Sequence, residues 1–303
     1  MFKEITPFFI VAETPIHAGS GGDSTGLVDL PIQRERYTDF PKIEASSIKG
    51  CIREAFEGLE KTKACVEQVF GPEKETETYA SAIAFTDARI LLFPVKSLKN
   101  VFGWITCPMV LERMKEDFRL ANKNYDELNI DFSKLENTVP KSSDLTIDGK
   151  AVLEEYTFEV KENDNTSRIA NFIANIIFKD SYKFWSEKLR KDLIILSDDD
   201  FTNFVKTSTE IITRIKINDK TGTVDTGALW TEEYLPQDSV LYSLVMSSSL
   251  KVSEEDRAKC NFKSDTHDEA KRVMKFFKEN CPSIIQIGGN QTIGKGLARI
   301  EIL

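Results

Sequence analysis

Blocks of apolar and polar residues alternate along the chain and predict regular elements at its start, followed by a long irregular stretch. Residues 3–13 are mostly apolar, which predicts a strand. Apolar residues then recur at helical spacing over 48–59, and Ser46 or Ser47 stands where an N-cap hydroxyl would serve the first turn. Between them, residues 14–41 carry glycines, prolines and charges without a period, so we expect a long and functional loop.

The middle of the chain has weaker signals. Residues 81–95 and 151–160 predict strands, and Pro108 opens a predicted helix. Residues 122–150 are polar and rich in turn formers, which is typical of an insertion. Residues 166–207 give no clear element from their pattern.

The last third of the chain is again regular. It predicts a hairpin with arms at 211–217 and 228–235, a strand at 239–249, a helix at 266–280 and strands at 283–288 and 297–302. We find no repeat with a period of 20–50 residues. Strand–helix–strand at both ends, with insertions between, predicts an α+β fold with a ferredoxin-like βαββαβ sheet.

Length and charge narrow the class of protein. A chain of 303 residues is long enough for one large domain or two ordinary ones. The 40 basic and 49 acidic residues give a formal net charge of −9. That charge argues against a protein that coats nucleic acid by bulk electrostatic attraction, so any polyanion must be held by local contacts.

Cysteine, histidine and hydropathy limit the chemistry further. The five cysteines are odd in number and never form C-x-x-C, so we expect neither a disulfide framework nor a zinc ribbon, and a reducing cytoplasm as the location. With only His17 and His267 as imidazoles, a metal would be held mainly by oxygen ligands. No run of 18 apolar residues occurs, so we expect a soluble protein without a membrane partner.

A glycine-rich turn lies at residues 288–296, with the sequence GGNQTIGKG. It falls one residue short of a Walker A motif, but Gly296 stands where the magnesium-binding hydroxyl should be and only seven residues follow. A nucleotide triphosphatase is therefore excluded. Two readings remain: a loop whose backbone N–H groups approach phosphate oxygens beside Lys295, or a tight hairpin that needs positive φ angles.

This turn resembles the glycine-rich signature of the RAMP superfamily of CRISPR RNA-binding proteins. The N-terminal third strengthens the resemblance, and within the superfamily it is similar to the backbone (Cas7-like) subunits of the type III-B Cmr effector. The related type III-A (Csm) subunits usually lack the sequence motif that residues 28–35 form here. A third patch, 213–234, resembles the thumb hairpin of both groups, while about half of the chain matches nothing. The N-terminal patches are His17-Ala18-Gly19-Ser20-Gly21, Gly26-Leu27-Val28-Asp29-Leu30-Pro31-Ile32-Gln33-Arg34-Glu35, Phe40-Pro41-Lys42-Ile43 and Ser46-Ser47-Ile48-Lys49-Gly50-x-x-Arg53.

The resemblance implies one RAMP domain over residues 1–303. Its parts would be a discontinuous ferredoxin-like (RRM-like) palm, a helical fingers insertion and a β-hairpin thumb. It further implies a filament of copies stacked along a guide CRISPR RNA, together with target RNA and other Cmr subunits. Contacts repeated in each copy reconcile RNA binding with an acidic monomer. The expected palm segments are about 1–60, 81–95, 151–215 and 237–303, with fingers at about 96–150 and the thumb at about 213–236.

For catalysis, the resemblance implies that target-RNA cleavage depends on Asp29, which we expect to bind a divalent ion such as Mg²⁺ or Mn²⁺. The ribose 2′-hydroxyl would attack the neighbouring phosphorus and leave a 2′,3′-cyclic phosphate and a 5′-hydroxyl. His17 is the candidate general acid or phosphate-orienting group. Glu232 and Tyr234, with Glu233, would reach a neighbouring subunit's loop. Without the family, Asp29 reads as a structural turn carboxylate and the thumb residues as an exposed strand arm.

For guide binding, the candidates lie on the predicted helix and in the glycine-rich turn. Lys49 and Arg53 are four residues apart, so they share one helix face near its N-terminal half, although such charges are often merely solvated. We expect RNA contacts from Ser46, Ser47, Lys49, Arg53, Gly288, Gly289, Gly294, Lys295 and Gly296.

Three functions remain open at this point. The first is a metal-dependent endoribonuclease subunit that cuts guide-paired target RNA at regular intervals. The second is a structural RNA-binding subunit without catalysis. The third is a stand-alone nuclease that processes CRISPR repeat RNA, for which the chain offers little histidine.

Overall fold

The structure is a computed structural model that describes residues 2–21, 28–72, 79–220, 222–260 and 268–303. Residues 180, 225–227 and 259 are described by their backbone alone. His267, Thr221 and the pair Gly26-Leu27 lie outside the described residues, so the sequence-based expectations that involve them are not addressed.

The described residues form a mixed α/β protein. The strands are β1 (Glu4–Ala12), β2 (Lys42–Ile43), β3 (Ile83–Phe85), β4 (Ala88–Lys96), β5 (Phe102–Thr106), β6 (Thr138–Val139), β7 (Thr146–Ile147), β8 (Lys150–Leu153), β9 (Tyr156–Glu159), β10 (Lys161–Glu162), β11 (Leu193–Ile195), β12 (Glu210–Ile217), β13 (Val224–Tyr234), β14 (Val240–Ser247), β15 (Ile284–Gln286) and β16 (Leu297–Ile302). The α-helices are α1 (Ala45–Glu57), α2 (Val66–Phe70), α3 (Pro108–Leu120), α4 (Asp164–Ile177), α5 (Lys183–Lys191), α6 (Asp198–Thr207), α7 (Glu254–Lys259) and α8 (Glu269–Asn280). Short 3₁₀ turns occupy Lys63–Cys65, Asp126–Leu128, Phe132–Lys134, Asp180–Tyr182 and Gln291–Ile293.

The centre of the molecule is a large mixed sheet in the order β10-β6-β11-β5-β4-β14-β1-β16-β15, with β2 on β4 and β3 on β14. Its four long strands run antiparallel as β4-β14-β1-β16, and Phe8 of β1 lies opposite both Ser243 and Ile302. The chain passes through α1 between β1 and β4, and through α8 between β14 and β16. Strands far apart in sequence therefore lie side by side.

Both faces of the central strands are covered, which explains the unbroken apolar run in β1. Phe8 packs edge-on against Phe85, and Phe85 in turn contacts Phe277 of α8. The next residue, Phe9, points to the opposite face and packs against Phe118 of α3. Because successive strand residues face opposite sides, a strand buried on both sides is apolar at every position. Each such phenylalanine contributes about 1.5–3 kcal/mol of burial free energy.

The sequence predicts most of these elements, with corrections at the boundaries. The strand at 3–13, the helix opened by Pro108, the hairpin arms and the C-terminal strand–helix–strand unit are confirmed. The predicted strands at 81–95 and 151–160 are each two shorter strands. Residues 166–207, which showed no clear pattern, form α4, α5, β11 and α6.

The helix that carries Ser46 and Ser47 begins before both serines. Its N-cap residue is Glu44, whose side chain makes no capping hydrogen bond. The Ala45 N–H instead donates to Oδ1 of Asp87 at 2.9 Å. The expected serine cap is therefore wrong, because a carboxylate from a distant loop has taken over that task.

The expectation of no disulfide framework is contradicted at one pair. Cys65 and Cys260 form a disulfide across 195 residues of sequence. Sequence separation does not reveal this pairing, because folding brings the α1–α2 connection next to the end of α7. Cys51, Cys107 and Cys281 are free thiols. Among the described helices, none is both long enough and apolar enough to cross a bilayer.

Candidate functional site

Two described parts of the long loop, residues 16–17 and 29–30, lie along the outer edge of β13. Backbone bridges join Ile16 to Leu235 and Leu30 to Glu232. The other edge of β13 pairs with β12 to make the predicted hairpin. Because an uncovered strand edge leaves N–H and C=O groups without partners, the loop serves as a third strand at the hairpin root. This arrangement brings His17 and Asp29 to the same strand.

Asp29 is exposed and is held by Thr231 of β13. Its Oδ2 accepts hydrogen bonds from the Thr231 backbone N–H at 2.7 Å and from the Thr231 hydroxyl at 2.8 Å. The Asp29 N–H donates back to the same hydroxyl oxygen at 3.0 Å. These bonds from Thr231 lower the pKa of the Asp29 carboxyl below its usual value. Asp29 is therefore a fixed, ionised carboxylate whose Oδ1 has no hydrogen-bond partner within the described part of the chain.

His17 lies at the same hairpin root, two strand positions further along. Its Nδ1 is 2.7 Å from the carbonyl oxygen of Glu233, so Nδ1 carries the proton that this bond requires. In the neutral ring Nε2 is then an acceptor, and protonation turns it into a donor. The ring is 5.5 Å from that of Tyr234, centroid to centroid. The imidazole is oriented by the strand rather than left as an incidental loop side chain.

Glu232 and Tyr234 are buried, so the alternative reading of them as an exposed strand arm is wrong, while their predicted reach toward a neighbouring subunit stays a prediction. Glu232 is 6% exposed and Tyr234 is 0% exposed. The Tyr234 hydroxyl donates to Glu232 Oε2, the Trp230 indole N–H donates to Glu232 Oε1 at 2.9 Å, and Arg214 Nε donates to Oε2 at 3.2 Å. Within the single chain, both side chains are engaged in this network. We assign both to the support of the hairpin root.

The ionisation of this pair follows from its contacts. Burial raises the pKa of Glu232, but the hydrogen bonds from Tyr234, Trp230 and Arg214 outweigh it, so the pKa is lower than usual. Burial, together with the carboxylate of Glu232, raises the pKa of Tyr234. Glu232 is thus a buried anion and Tyr234 a neutral phenol, which suits a structural network and not proton transfer at neutral pH.

Glu233 points to the other side of β13 and fastens the loop. Its Oε1 accepts from Arg34 at 2.5 Å and from the Thr209 hydroxyl at 2.8 Å, and its Oε2 accepts from the Ile32 N–H at 3.0 Å. The sequence patches contained Arg34, Arg214 and Thr231, but no role was assigned to them. Strand alternation was the available signal, since residues 230, 232 and 234 must share one face and 231 and 233 the other.

The glycine-rich turn closes against the start of the loop. The Gly289 N–H donates to the His17 carbonyl at 3.1 Å, and the Gly296 N–H donates to the Pro15 carbonyl at 2.9 Å. Gly288 has φ 76° and lies so near the His17 carbonyl that a Cβ would collide with it. The tight-turn reading therefore holds for Gly288. Gly294 also has a positive φ, but a Cβ there would meet open space. Lys295 places its Nζ 5.0 Å from the centre of the Tyr234 ring.

The helix α1 lies beside this turn, and its thiol Cys51 faces the backbone N–H of Gly288. Lys49 is half-buried and makes no ion pair or hydrogen bond to any described residue. Its burial, and then the charge of Arg53, lower the pKa of Lys49. Arg53 itself is engaged, with Nε 2.7 Å from Glu57 and a bond of 2.9 Å to the Gly71 carbonyl. Lys49 and Arg53, which are predicted to bind RNA together, therefore differ: Arg53 is paired with other groups of the protein, whereas Lys49 has no partner among the described residues.

Exposed small residues from three segments form one surface here, which we call the small-residue surface. Gln33 links two of the segments, because its amide donates to the Gly19 carbonyl and to the Ser47 hydroxyl. The Gly289–His17 bond links the third. Backbone groups on such a surface can approach a polyanion closely. Its members are Gly19, Ser20, Ser46, Gly288 and Gly289.

The acids at the hairpin root offer little to a metal ion by themselves. Across the described ranges, no three His, Cys, Asp or Glu side chains cluster closely enough to hold one. Of Asp29, Glu232 and Glu233, only Asp29 keeps a carboxylate oxygen free of hydrogen bonds to described residues. One carboxylate fits an ion that takes its remaining ligands from water and a phosphate, as Mg²⁺ commonly does. It does not fit an ion caged by protein.

Sequence comparison identifies the protein family to which this fold and this site belong. The sequence profile of the RAMP superfamily matches residues 9–299, so the chain belongs to the RAMP superfamily. It is 38% identical, over 95% of this chain and 92% of the relative, to the CRISPR system Cmr endoribonuclease Cmr4 of Pyrococcus furiosus. It is 26% identical, over 99% of this chain and 96% of the relative, to the CRISPR system CMR subunit Cmr4 of Saccharolobus solfataricus.

Solved structures give the same result for the fold. The chain superposes on oligomeric Cmr4 from Pyrococcus furiosus with a TM-score of 0.70 and 30% identity, over 99% of this chain and 97% of the other. It also matches a chain of the type III-B Cmr-beta complex bound to cognate target RNA, with a TM-score of 0.74 and 24% identity over 99% and 98% of the two chains. The mixed α/β sheet is therefore the sheet of this superfamily.

Proposed function

We propose that the chain is the repeated RNA-binding backbone subunit of a type III-B CRISPR effector and that it cleaves guide-paired target RNA. The observation that carries the proposal is Asp29, an exposed carboxylate that Thr231 holds ionised beside an oriented His17. Kinship with a Cmr endoribonuclease and the fold shared with a chain of a target-RNA complex support it. Its partners are guide RNA, target RNA, other Cmr subunits and further copies of itself.

The division into palm, fingers and thumb belongs to the same proposal. The antiparallel order β4-β14-β1-β16, with α1 and α8 as the crossovers, supports a ferredoxin-like palm at about 1–60, 81–95, 151–215 and 237–303. The fingers are about 96–150 and the thumb about 213–236. One face of the hairpin carries Ile215 and Leu229 opposite each other, 49% and 65% exposed. An apolar face that stays exposed among the described residues suits a thumb that packs against RNA bases or a second copy.

Guide binding is assigned to the small-residue surface and to α1. Lys49 has no acidic partner among the described residues, so a phosphate can pair with it without breaking an existing ion pair. Arg53 already pairs with Glu57, and we assign it a lesser share. The N–H groups of Gly289, Gly294 and Lys295 already donate to carbonyls of the protein. The turn therefore adds close approach of its exposed glycines and the charge of Lys295, which an acidic chain can use repeatedly along a filament. Base pairing, and not a protein pocket, reads the target sequence.

The reaction needs alignment more than it needs new chemistry. The target's 2′-oxygen forms a bond to phosphorus, the bond to the 5′-oxygen breaks, the 2′-hydroxyl loses its proton to water and the 5′-oxygen gains a proton. Asp29 Oδ1 makes no hydrogen bond to a described residue, so it is available to orient the 2′-hydroxyl. A divalent ion bound to Asp29, phosphate and water would stabilise the charge that develops on the phosphate. Protonated His17 would donate from Nε2 to the leaving oxygen.

The decisive experiment replaces Asp29 with Asn in the reconstituted complex with guide and labelled target RNA. Asp29→Asn keeps the shape and the Thr231 contacts but removes the charge. We expect the ladder of regularly spaced products to disappear while guide and target binding persist. Unchanged cleavage would instead support a structural subunit, the role that the Asp29–Thr231 clasp by itself favours. Products from wild type should end in 2′,3′-cyclic phosphate and should vanish with EDTA.

A further inference from the structure

Asn290 links the glycine-rich turn to the hairpin root through its side chain. Its amide Nδ2 donates to the Tyr234 hydroxyl at 2.7 Å and to Glu232 Oε2 at 3.0 Å. Its backbone has φ 67°, in the left-handed region that asparagine tolerates better than most residues. Both features select asparagine, since the side chain must donate two bonds and the backbone must turn.

The acceptors of these bonds belong to a buried charged network. Glu232 Oε2 accepts from three groups, the Tyr234 hydroxyl, Arg214 Nε and Asn290 Nδ2. Arg214 also donates to the Tyr234 hydroxyl at 3.1 Å. Removing one donor from a buried anion is costly, because the desolvated charge is left short of a hydrogen bond, and the remaining groups shift to compensate. The position of β13 relative to the turn therefore depends on the Asn290 amide.

The same strand holds the carboxylate at position 29. Thr231, which binds Asp29 through its backbone N–H and its hydroxyl, stands directly before Glu232 in β13. A displacement of Glu232 moves Thr231, and with it Asp29. The small-residue surface is thus connected to the Asp29 carboxylate through Asn290, then Glu232, and then the peptide bond between Glu232 and Thr231.

We propose that Asn290 is a positioning residue: it transmits the seating of guide RNA on the glycine-rich turn to the strand that aims Asp29 at the target. The proposal rests on the proposed function, because it assumes that Asp29 acts on target RNA. Asn290 touches neither the scissile phosphate nor the attacking hydroxyl in this scheme. Its effect appears in the rate of cleavage and not in the affinity for either RNA.

Two substitutions separate the side chain from the backbone. Asn290→Asp keeps the size and the left-handed tolerance but places a second carboxylate against Glu232. Asn290→Gly removes the side chain and leaves the backbone unstrained. Asn122 is a matched control, because it is an exposed asparagine with φ 53° just after α3, outside both the hairpin and the glycine-rich turn. Asn122→Asp and Asn122→Gly make the same chemical changes there.

The test uses the full complex with guide and target RNA under single-turnover conditions. We expect Asn290→Asp to lower the cleavage rate at saturating target by about tenfold or more, since small misplacements of reacting groups cost that much. Asn290→Gly should lower it less, and both Asn122 variants should match wild type. Guide affinity and the target concentration for half-maximal rate should stay within about threefold of wild type, because the binding surface keeps its backbone contacts.

Two results would overturn the inference: wild-type cleavage by Asn290→Asp, or a loss of guide affinity as large as the loss of rate. The second would make Asn290 a part of the binding surface only. If Asn290→Asp fails to fold by thermal unfolding, Asn290→Gly decides the question by the same criteria. Asp29→Asn is assayed in parallel. An active Asp29→Asn overturns the proposed function itself, whereas an inactive one beside a fully active Asn290→Asp overturns the positioning role alone.

Discussion

Thr231 holds Asp29 through three hydrogen bonds. Its N–H and its hydroxyl both donate to Asp29 Oδ2, and its hydroxyl oxygen accepts a bond from the Asp29 N–H. All three bonds lie across the edge of a strand that is about 200 residues away in sequence. A carboxylate held in this way loses its freedom to rotate, while its second oxygen makes no hydrogen bond to a described residue and the side chain stays exposed. That combination of order and exposure is what an alignment mechanism requires.

Thr231→Val tests this clasp directly. The substitution keeps the branched shape and the backbone N–H but removes the hydroxyl, which is both donor and acceptor. We expect cleavage to fall by about tenfold as Asp29 becomes mobile, with guide binding unchanged. Thr231→Ser restores the hydroxyl and should recover most of the rate. Single-turnover cleavage measures both, and equal rates for the Val and Ser variants would refute a role for the hydroxyl.

Alanine substitutions at the neighbouring glycines Gly288 and Gly289 should differ in their effect on the stability of the fold. A methyl group at Gly288 would collide with the His17 carbonyl and strain a positive φ, so Gly288→Ala should lower the free energy of unfolding by about 2–4 kcal/mol. At Gly289 the nearest atom to a Cβ is His17 Cδ2 at 3.8 Å. Gly289→Ala should therefore fold normally. Denaturant titration of the two variants provides the comparison, and equal stabilities would contradict it.

Lys49 should matter more to guide binding than Arg53 does, because Lys49 has no described partner while Arg53 pairs with Glu57. Lys49→Ala should weaken guide binding several-fold and reduce the salt dependence of log K by about 0.7 per bound copy. Lys150→Ala, an exposed lysine on β8, serves as the control. Fluorescence anisotropy at several salt concentrations measures both quantities. If Lys150→Ala weakened guide binding as much as Lys49→Ala does, the effect would come from the change in net charge and not from a contact made by Lys49.

Asp238 should make stability depend on pH. Burial, and then the charge of Glu13, raise the pKa of Asp238 to about 6 in the folded protein. The folded state therefore binds this proton more tightly than the unfolded state does. The stabilising contribution of the protonated Asp238 side chain is complete below about pH 4 and is lost as the pH rises through about 6.

Asp238→Asn removes that titration and keeps the left-handed backbone, with φ 66°. We expect the variant to exceed wild type in stability by about 1 kcal/mol at pH 7.5, a figure reduced for solvent screening of a half-buried group. At pH 4 the two should be equal. Asp148→Asn, at an exposed left-handed aspartate, makes the same chemical change and serves as the control. Thermal unfolding at both pH values measures the difference.

Local features of the fold could be predicted because neighbouring residues encode them. Apolar spacing located β1, the hairpin and α8, and Pro108 marked the start of α3. The boundaries moved where a distant group intervened. Asp87 took the capping task from Ser46 and Ser47, and the Cys65–Cys260 disulfide joined segments that no spacing rule connects.

For the candidate site, the sequence alone determined which residues are candidates: motif resemblance selected Asp29, His17 and the glycine-rich turn. Only the tertiary structure decided what those residues touch. It buried Glu232 and Tyr234, gave Asp29 to Thr231 and placed Asn290 between the turn and the hairpin. The physical reason is that periodicity and backbone preference act over a few residues, whereas hydrogen-bond partners are chosen when strands distant in sequence pair in one sheet.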